Sequence, residues 1–171
     1  MADFEPAFQY MIKREGGFIN HTVAGDRGGQ TYAGIARRSH PDWIGWTLID
    51  ANKLDDPALT GHVRAFYKAN FWDRLRAEDI TNQDVATSLF DFAVNTGVKK
   101  AVTIAQLAVQ TTPDGIIGPR TLQAINDLDP EKFLLRFTIG KIGRYAAICN
   151  ADRSQTKFLL GWINRSLQGA V

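Results

Sequence analysis

Apolar side chains recur at spacings of three and four along most of this chain, a pattern that predicts helices nearly throughout. The first runs from Phe4 through Phe8 to Met11 and Ile12, with Asp3 able to cap it and Pro6 tolerated in its first turn. Asp56 or Pro57 opens a second through "ALTGHVRAFYKANFW". "NQDVATSLFDFAVNTG" reads as a central helix, apolar on most sides, with Gly97 as its stop. Beyond it come "VKKAVTIAQLAVQ", the turn-rich "TTPDGIIG", a short helix begun by Pro119, a long helix from Pro130 to about Cys149, and a last one from about Ser154 to Leu167. No long alternating run marks a strand, although "INHTVAG" and "QTYAGIA" can pair as a small hairpin. The least abrupt boundary lies near Gly97, dividing an N-terminal lobe, residues 1–97, from a C-terminal lobe, 98–171, packed as one compact unit without a flexible linker.

Continuing the first helix's apolar stripe lands on Glu15, because residues three, four and seven apart share a face. At the helix C-terminus, partial desolvation and the negative end of the dipole both disfavour the ionised carboxylate. A carboxyl kept protonated near neutral pH is what a general acid needs to protonate a leaving oxygen. Gly16 and Gly17 leave open space beside it and let the chain turn sharply. The plainer alternative is a helix-end glutamate paired with Lys13 or Arg37. Glycoside hydrolysis needs a second group, roughly 6.5–9.5 Å away in an inverting enzyme and about 5–5.5 Å in a retaining one. Asp26 sits eleven residues beyond Glu15 in a glycine-rich loop that can return across a cleft, and Thr31 carries a hydroxyl able to position water. Alternatively, Asp26 caps its own loop backbone.

Composition narrows the classes. The 171 residues are 44% hydrophobic and 22% charged, enough to bury a proper core. The 20 basic and 18 acidic side chains are interspersed, leaving +2 and no basic run of the kind that binds nucleic acid. Cys149 is the only cysteine, so no intramolecular disulfide forms; in "RYAAICNA" it reads as a packing residue. His21, His40 and His62 are too far apart in sequence for a metal motif, and neither H-E-x-x-H nor G-x-S-x-G occurs, so no metal and no cofactor are expected. The N-terminus lacks a basic stretch followed by an apolar core, and no run approaches the roughly 18 apolar residues of a membrane span. Cytoplasmic synthesis, no stable membrane insertion and a monomer are expected.

The segment "EGGFINHTVAGDRGGQTYAGI" resembles the signature of glycoside hydrolase family 108, lysozyme-like N-acetylmuramidases of phage endolysins and bacterial secretion activator proteins. "AFYKANFWDRL" resembles that family's tyrosine and tryptophan helix, "ATSLFDFAVNTGVKKAVTIAQ" its central helix, and "TPDGIIGPRTLQAI" with "FLLGWINRSL" its C-terminal peptidoglycan-binding region. The resemblance covers nearly the whole chain. It implies a mainly α, lysozyme-like fold with a small hairpin near the active site and a helical C-terminal lobe. It also implies peptidoglycan glycan strands as substrate, in the periplasm or wall; with no signal peptide, release is expected to need a holin or another secretion route. By matching position Glu15 takes the catalytic role. Where the family usually reads Asn-Asp-Pro, this chain has Asn20-His21-Thr22, and Asp26-Arg27-Gly28-Gly29 replaces Asp-Pro-Gly-Gly, which leaves Asp26 as the candidate base or electrostatic partner. The implied activity is cleavage of the β-1,4 bond after N-acetylmuramic acid. The alternatives are a lytic transglycosylase working with one glutamate and a non-catalytic wall-binding or lysis-regulating protein.

Other polar and aromatic residues are candidate sugar contacts. Asn20 and His21 lie in the hairpin, and His21 can bond a sugar, bond Glu15, or do neither. Asp91 and Asn95, four apart on the central helix, either bind substrate N-acetyl groups or the loop that carries Asp26, or tie that helix to the first one. Among the aromatics Tyr32, Trp43, Trp46, Tyr67 and Trp72, Tyr32 and Tyr67 are favoured for the cleft. Trp162 is expected in the core, which leaves Arg165 to face acidic wall polymer.

Overall fold

The computed structural model describes residues 1–22 and 29–168. Its architecture is mainly α, as expected. Two compact units divide the chain: one is Glu5–Asn70, the other Met1–Phe4 with Phe71–Val171.

In the Glu5–Asn70 unit, α1 (Phe4–Arg14) buries Ala7, Phe8, Met11 and Ile12, the three- and four-residue stripe its sequence carries. Three short antiparallel strands follow in the order β1 (Asn20–Thr22), β2 (Gln30–Tyr32), β3 (Ile35–Ala36). The register sets His21 against Thr31 and Tyr32 against Ile35. The expected hairpin is therefore present, and "QTYAGIA" folds back on itself to add a third strand. Then come α2 (Gly45–Asp50) and α3 (Pro57–Tyr67). Asp56 caps α3 by accepting a hydrogen bond from the Ala58 amide at 2.9 Å, and Pro57 occupies the first turn, where its missing N–H costs nothing. Leu59, Val63 and Tyr67, spaced by four, form the buried face of α3. Tyr67 packs on Phe8 of α1 with ring centroids 6.1 Å apart, and the Arg64 guanidinium grips both carboxylate oxygens of Glu5.

The other unit is built on α4 (Gln83–Thr96), α5 (Val98–Ala108), α6 (Pro119–Asp127), α7 (Pro130–Ala151) and α8 (Thr156–Leu167). Asn82 caps α4 through the Val85 amide, and Gly97, at φ 86°, ends it and begins α5. Val85, Leu89, Phe90, Phe92 and Ala93 are all buried, so α4 is covered on most sides. Phe4, Trp72 and Phe90 form an edge-to-face triangle with centroids 5.6–5.9 Å apart. Trp72 is accordingly a core residue. Phe133, Phe137, Lys141, Tyr145 and Cys149 line the buried side of α7 at four-residue steps. Trp162 of α8 stacks on Tyr145 at 5.0 Å. Cys149 is buried, as its apolar context predicts.

Candidate active site

Glu15 is the first residue beyond the last turn of α1, its amide donating to the Met11 carbonyl at 3.0 Å. Gly16 and Gly17 follow at φ 90° and 87°, a left-handed pair that stops the helix and turns the chain toward β1. The glutamate is left half-buried at the end of the apolar stripe.

The β2–β3 turn meets it. Ala33 and Gly34 both have positive φ, 48° and 80°, the combination a two-residue type I′ hairpin turn requires. Gly34 is further constrained by its neighbours. A methyl there would lie 2.6 Å from the Tyr67 hydroxyl and 3.8 Å from Oε2 of Glu15. Glycine therefore lets the turn lie between the tyrosine and the glutamate. The Tyr67 hydroxyl donates to the carbonyl of Ala33 at 2.8 Å, pinning a turn whose first central residue is in a costly conformation. Burial, and then the nearby Glu15 charge, push the Tyr67 phenol well above the ordinary tyrosine range, so it stays a neutral donor.

Glu15, the Ala33–Gly34 turn and Tyr67 are thus brought together in one unit. Thr31 lies half-buried in the middle strand, between His21 and Ala36. Tyr32, buried beside it in sequence, points to the opposite face of the strand and stacks on Trp43 at 6.3 Å. Burial, with the Asp55 charge adding to it, raises the Tyr32 phenol. Trp43 in turn meets Trp46 edge-on at 5.0 Å, so these rings form one cluster. Asn20 is exposed and accepts a hydrogen bond from Gln30. Asp26 lies outside the described residues, as does the side chain of His21.

Asp91 and Asn95 belong to the other unit. Asp91 is buried and ion-pairs with Arg165 of α8 at 3.0 Å, whereas Asn95 is exposed. The Asp91–Arg165 ion pair ties α4 to the last helix, where the sequence suggests a tie to the first, and gives Arg165 a partner inside the protein. Gly34 is the residue sequence reasoning passed over. Ala33-Gly34 between Tyr32 and Ile35 is not one of the Asn-Gly or Asp-Gly pairs that signal a two-residue turn, so only its glycine hints at one.

A mainly α, lysozyme-like fold with a glutamate at the end of its first helix defines the class. Residues 8–97 match the family model described as Glycosyl hydrolase 108, and residues 100–167 match that of a Predicted Peptidoglycan domain. The chain belongs to the glycosyl hydrolase 108 family. A solved structure described as that of Brucella abortus SagA is similar over 98% of this chain and 95% of its own, with a TM-score of 0.67 and 22% identity, which shows a shared fold. No curated protein matches the chain. A glycoside-hydrolase segment and a peptidoglycan segment in one chain give it a role in peptidoglycan hydrolysis or binding.

Proposed function

We propose that the protein is an N-acetylmuramidase that cleaves the β-1,4 bond between N-acetylmuramic acid and N-acetylglucosamine, with Glu15 as general acid. The observation that carries this reading is the setting of Glu15: half-buried after α1, beside a turn that Gly34 keeps open and Tyr67 holds in place. The Glu15 carboxyl gives its proton to the glycosidic oxygen as the bond from that oxygen to the muramic C1 breaks. Water adds at C1 and loses a proton to Asp26, the candidate base or stabilising carboxylate, with Thr31 positioning the water. Products are a reducing N-acetylmuramic acid end and a free 4-hydroxyl on N-acetylglucosamine. Asn20 and His21 are the proposed sugar contacts, and Tyr67 acts by holding the Ala33–Gly34 turn. Residues 1–97 serve catalysis and 98–171 hold the wall, which the protein reaches in the periplasm or cell wall after release, with a holin as the implied route.

Reducing-end analysis of digested sacculi tests the reaction. A muramidase produces reducing muramic acid. An anhydro sugar would instead establish a transglycosylase, and no new ends would leave a binding protein.

A further inference from the structure

Outside the candidate active site, a groove of about 270 Å³ runs between α5 and α7. Its existence follows from Gly140: a methyl there would stand 2.6 Å from Cγ2 of Ile104, so glycine lets the two helices approach closely and form a shallow floor. Leu107 and Ile139 rise on either side, 59% and 61% exposed, an apolar lining that nothing among the described residues covers. At the end of α5 the carbonyls of Ala105, Gln106 and Leu107 accept from the amides of Val109, Thr111 and Gln110, and that of Ala108 accepts from Nη1 of Arg136. The last turn of α5 therefore has no spare acceptor to attract a cation. The other guanidinium donors of Arg136, which also lines the groove, have no carboxylate partner among the described residues. The groove thus presents small apolar walls with one positive fork at the edge, the complement of a short peptide with methyl side chains and a free carboxylate.

We propose that this groove binds the carboxylate-terminated, alanine-bearing end of a peptidoglycan stem peptide, with the carboxylate on Arg136 and the methyl groups against Ile104, Leu107 and Ile139. Its volume lies just below the roughly 300–1,000 Å³ of ordinary small-molecule sites, which suits a dipeptide terminus better than a glycan. All these residues fall within the segment matching the Predicted Peptidoglycan domain. The inference rests on the peptidoglycan reading above and names the part of the polymer this surface takes.

Calorimetric titration of the full chain with a synthetic stem pentapeptide ending in D-Ala-D-Ala, as free acid and as C-terminal amide, tests it. Saturable binding of the free acid is expected. Amidation, or Arg136→Gln, weakens it by about tenfold or more, the worth of a charge-assisted hydrogen bond. Ile139→Glu, at an exposed position that folding does not depend on, weakens it similarly. Both variants keep wild-type turnover on glycan chains stripped of peptide. Absence of saturable binding, equal affinity for acid and amide, or unchanged affinity in both variants overturns the proposal. So does a concentration-dependent dimer abolished by Ile139→Glu, which would assign the groove to a second copy. Titration reads binding without turnover, so loss of this inference leaves the muramidase standing, and a protein that binds the peptide yet opens no glycan would separate the two the other way.

Discussion

Ala33 sits in the left-handed region at φ 48°, a conformation that costs a non-glycine residue about 1 kcal/mol. Its carbonyl accepts the hydrogen bond of a buried tyrosine, and the turn it belongs to borders Glu15. Tyr67→Phe keeps the ring against Phe8 and Phe66 but removes the donor. Leaving the buried Ala33 carbonyl unsatisfied should lower stability by about 1–2 kcal/mol. Turnover should fall about tenfold or more at a temperature where the variant is fully folded, because small displacements of a reacting group are costly. Thermal melts with kcat and KM measured separately check this; a drop in melting temperature with unchanged kcat would reduce Tyr67 to a packing residue. Asp26 is the only acidic residue between Glu15 and Asp42, so a second carboxylate from this hairpin must be Asp26. As base, its change to Asn should cost nearly as much activity as losing Glu15. As a loop cap, the Asn variant should be mild and Asp26→Ala should lower stability by roughly 0.5–2 kcal/mol.

The elements show why some of this architecture is legible in the sequence and some is not. The caps of α3 and α4, the glycine stop at Gly97 and the Pro119 start of α6 depend on local chemistry, and each lies where its residues predict. The position of Glu15 follows likewise from the stripe of Phe8, Met11 and Ile12. Gln106 is the contrary case. Within α5 it reads as an ordinary helical polar residue, yet it is buried and its side chain donates to Asp114 at 2.7 Å, the Ile116 carbonyl and Thr121, while accepting from the Gly115 amide. One side chain thereby organises the whole "TTPDGIIG" turn, through partners eight to fifteen residues away that periodicity cannot pair. Gln106→Leu should destabilise by about 2–3 kcal/mol, because a buried amide and hydroxyl lose their partner. Gln106, followed by the Ile116 amide, holds the Asp114 carboxyl below its ordinary value of 3.8. A depressed carboxyl stabilises the fold above its unfolded value and loses that contribution as pH falls through the folded one. The urea midpoint of the wild type should therefore exceed that of Asp114→Asn above pH 3.8, with the gap closing below it. A gap independent of pH would remove this turn from the acid response.

At the scale of the whole chain, one family segment ends at 97 and the other begins at 100, while the compact units divide at Phe4 and Asn70. Sequence shows where a helix stops; which helices pack together depends on three-dimensional surfaces, and α4, apolar on most sides, is buried among partners on both sides of that stop. No helix among the described residues is long and apolar enough to cross a membrane. Added from outside, the purified protein is expected to lyse outer-membrane-permeabilised cells and leave intact Gram-negative cells whole, as turbidity would record; lysis of intact cells would contradict a substrate that lies behind the outer membrane. The central claim is that the carboxyl of Glu15 supplies the proton that opens the glycan. Its most direct test is turnover of purified sacculi by Glu15→Gln, nearly isosteric and matched to wild type in melting temperature. The account predicts a loss of about 10²- to 10⁴-fold, the usual worth of general acid catalysis, and a variant retaining more than about a tenth of wild-type turnover would contradict it.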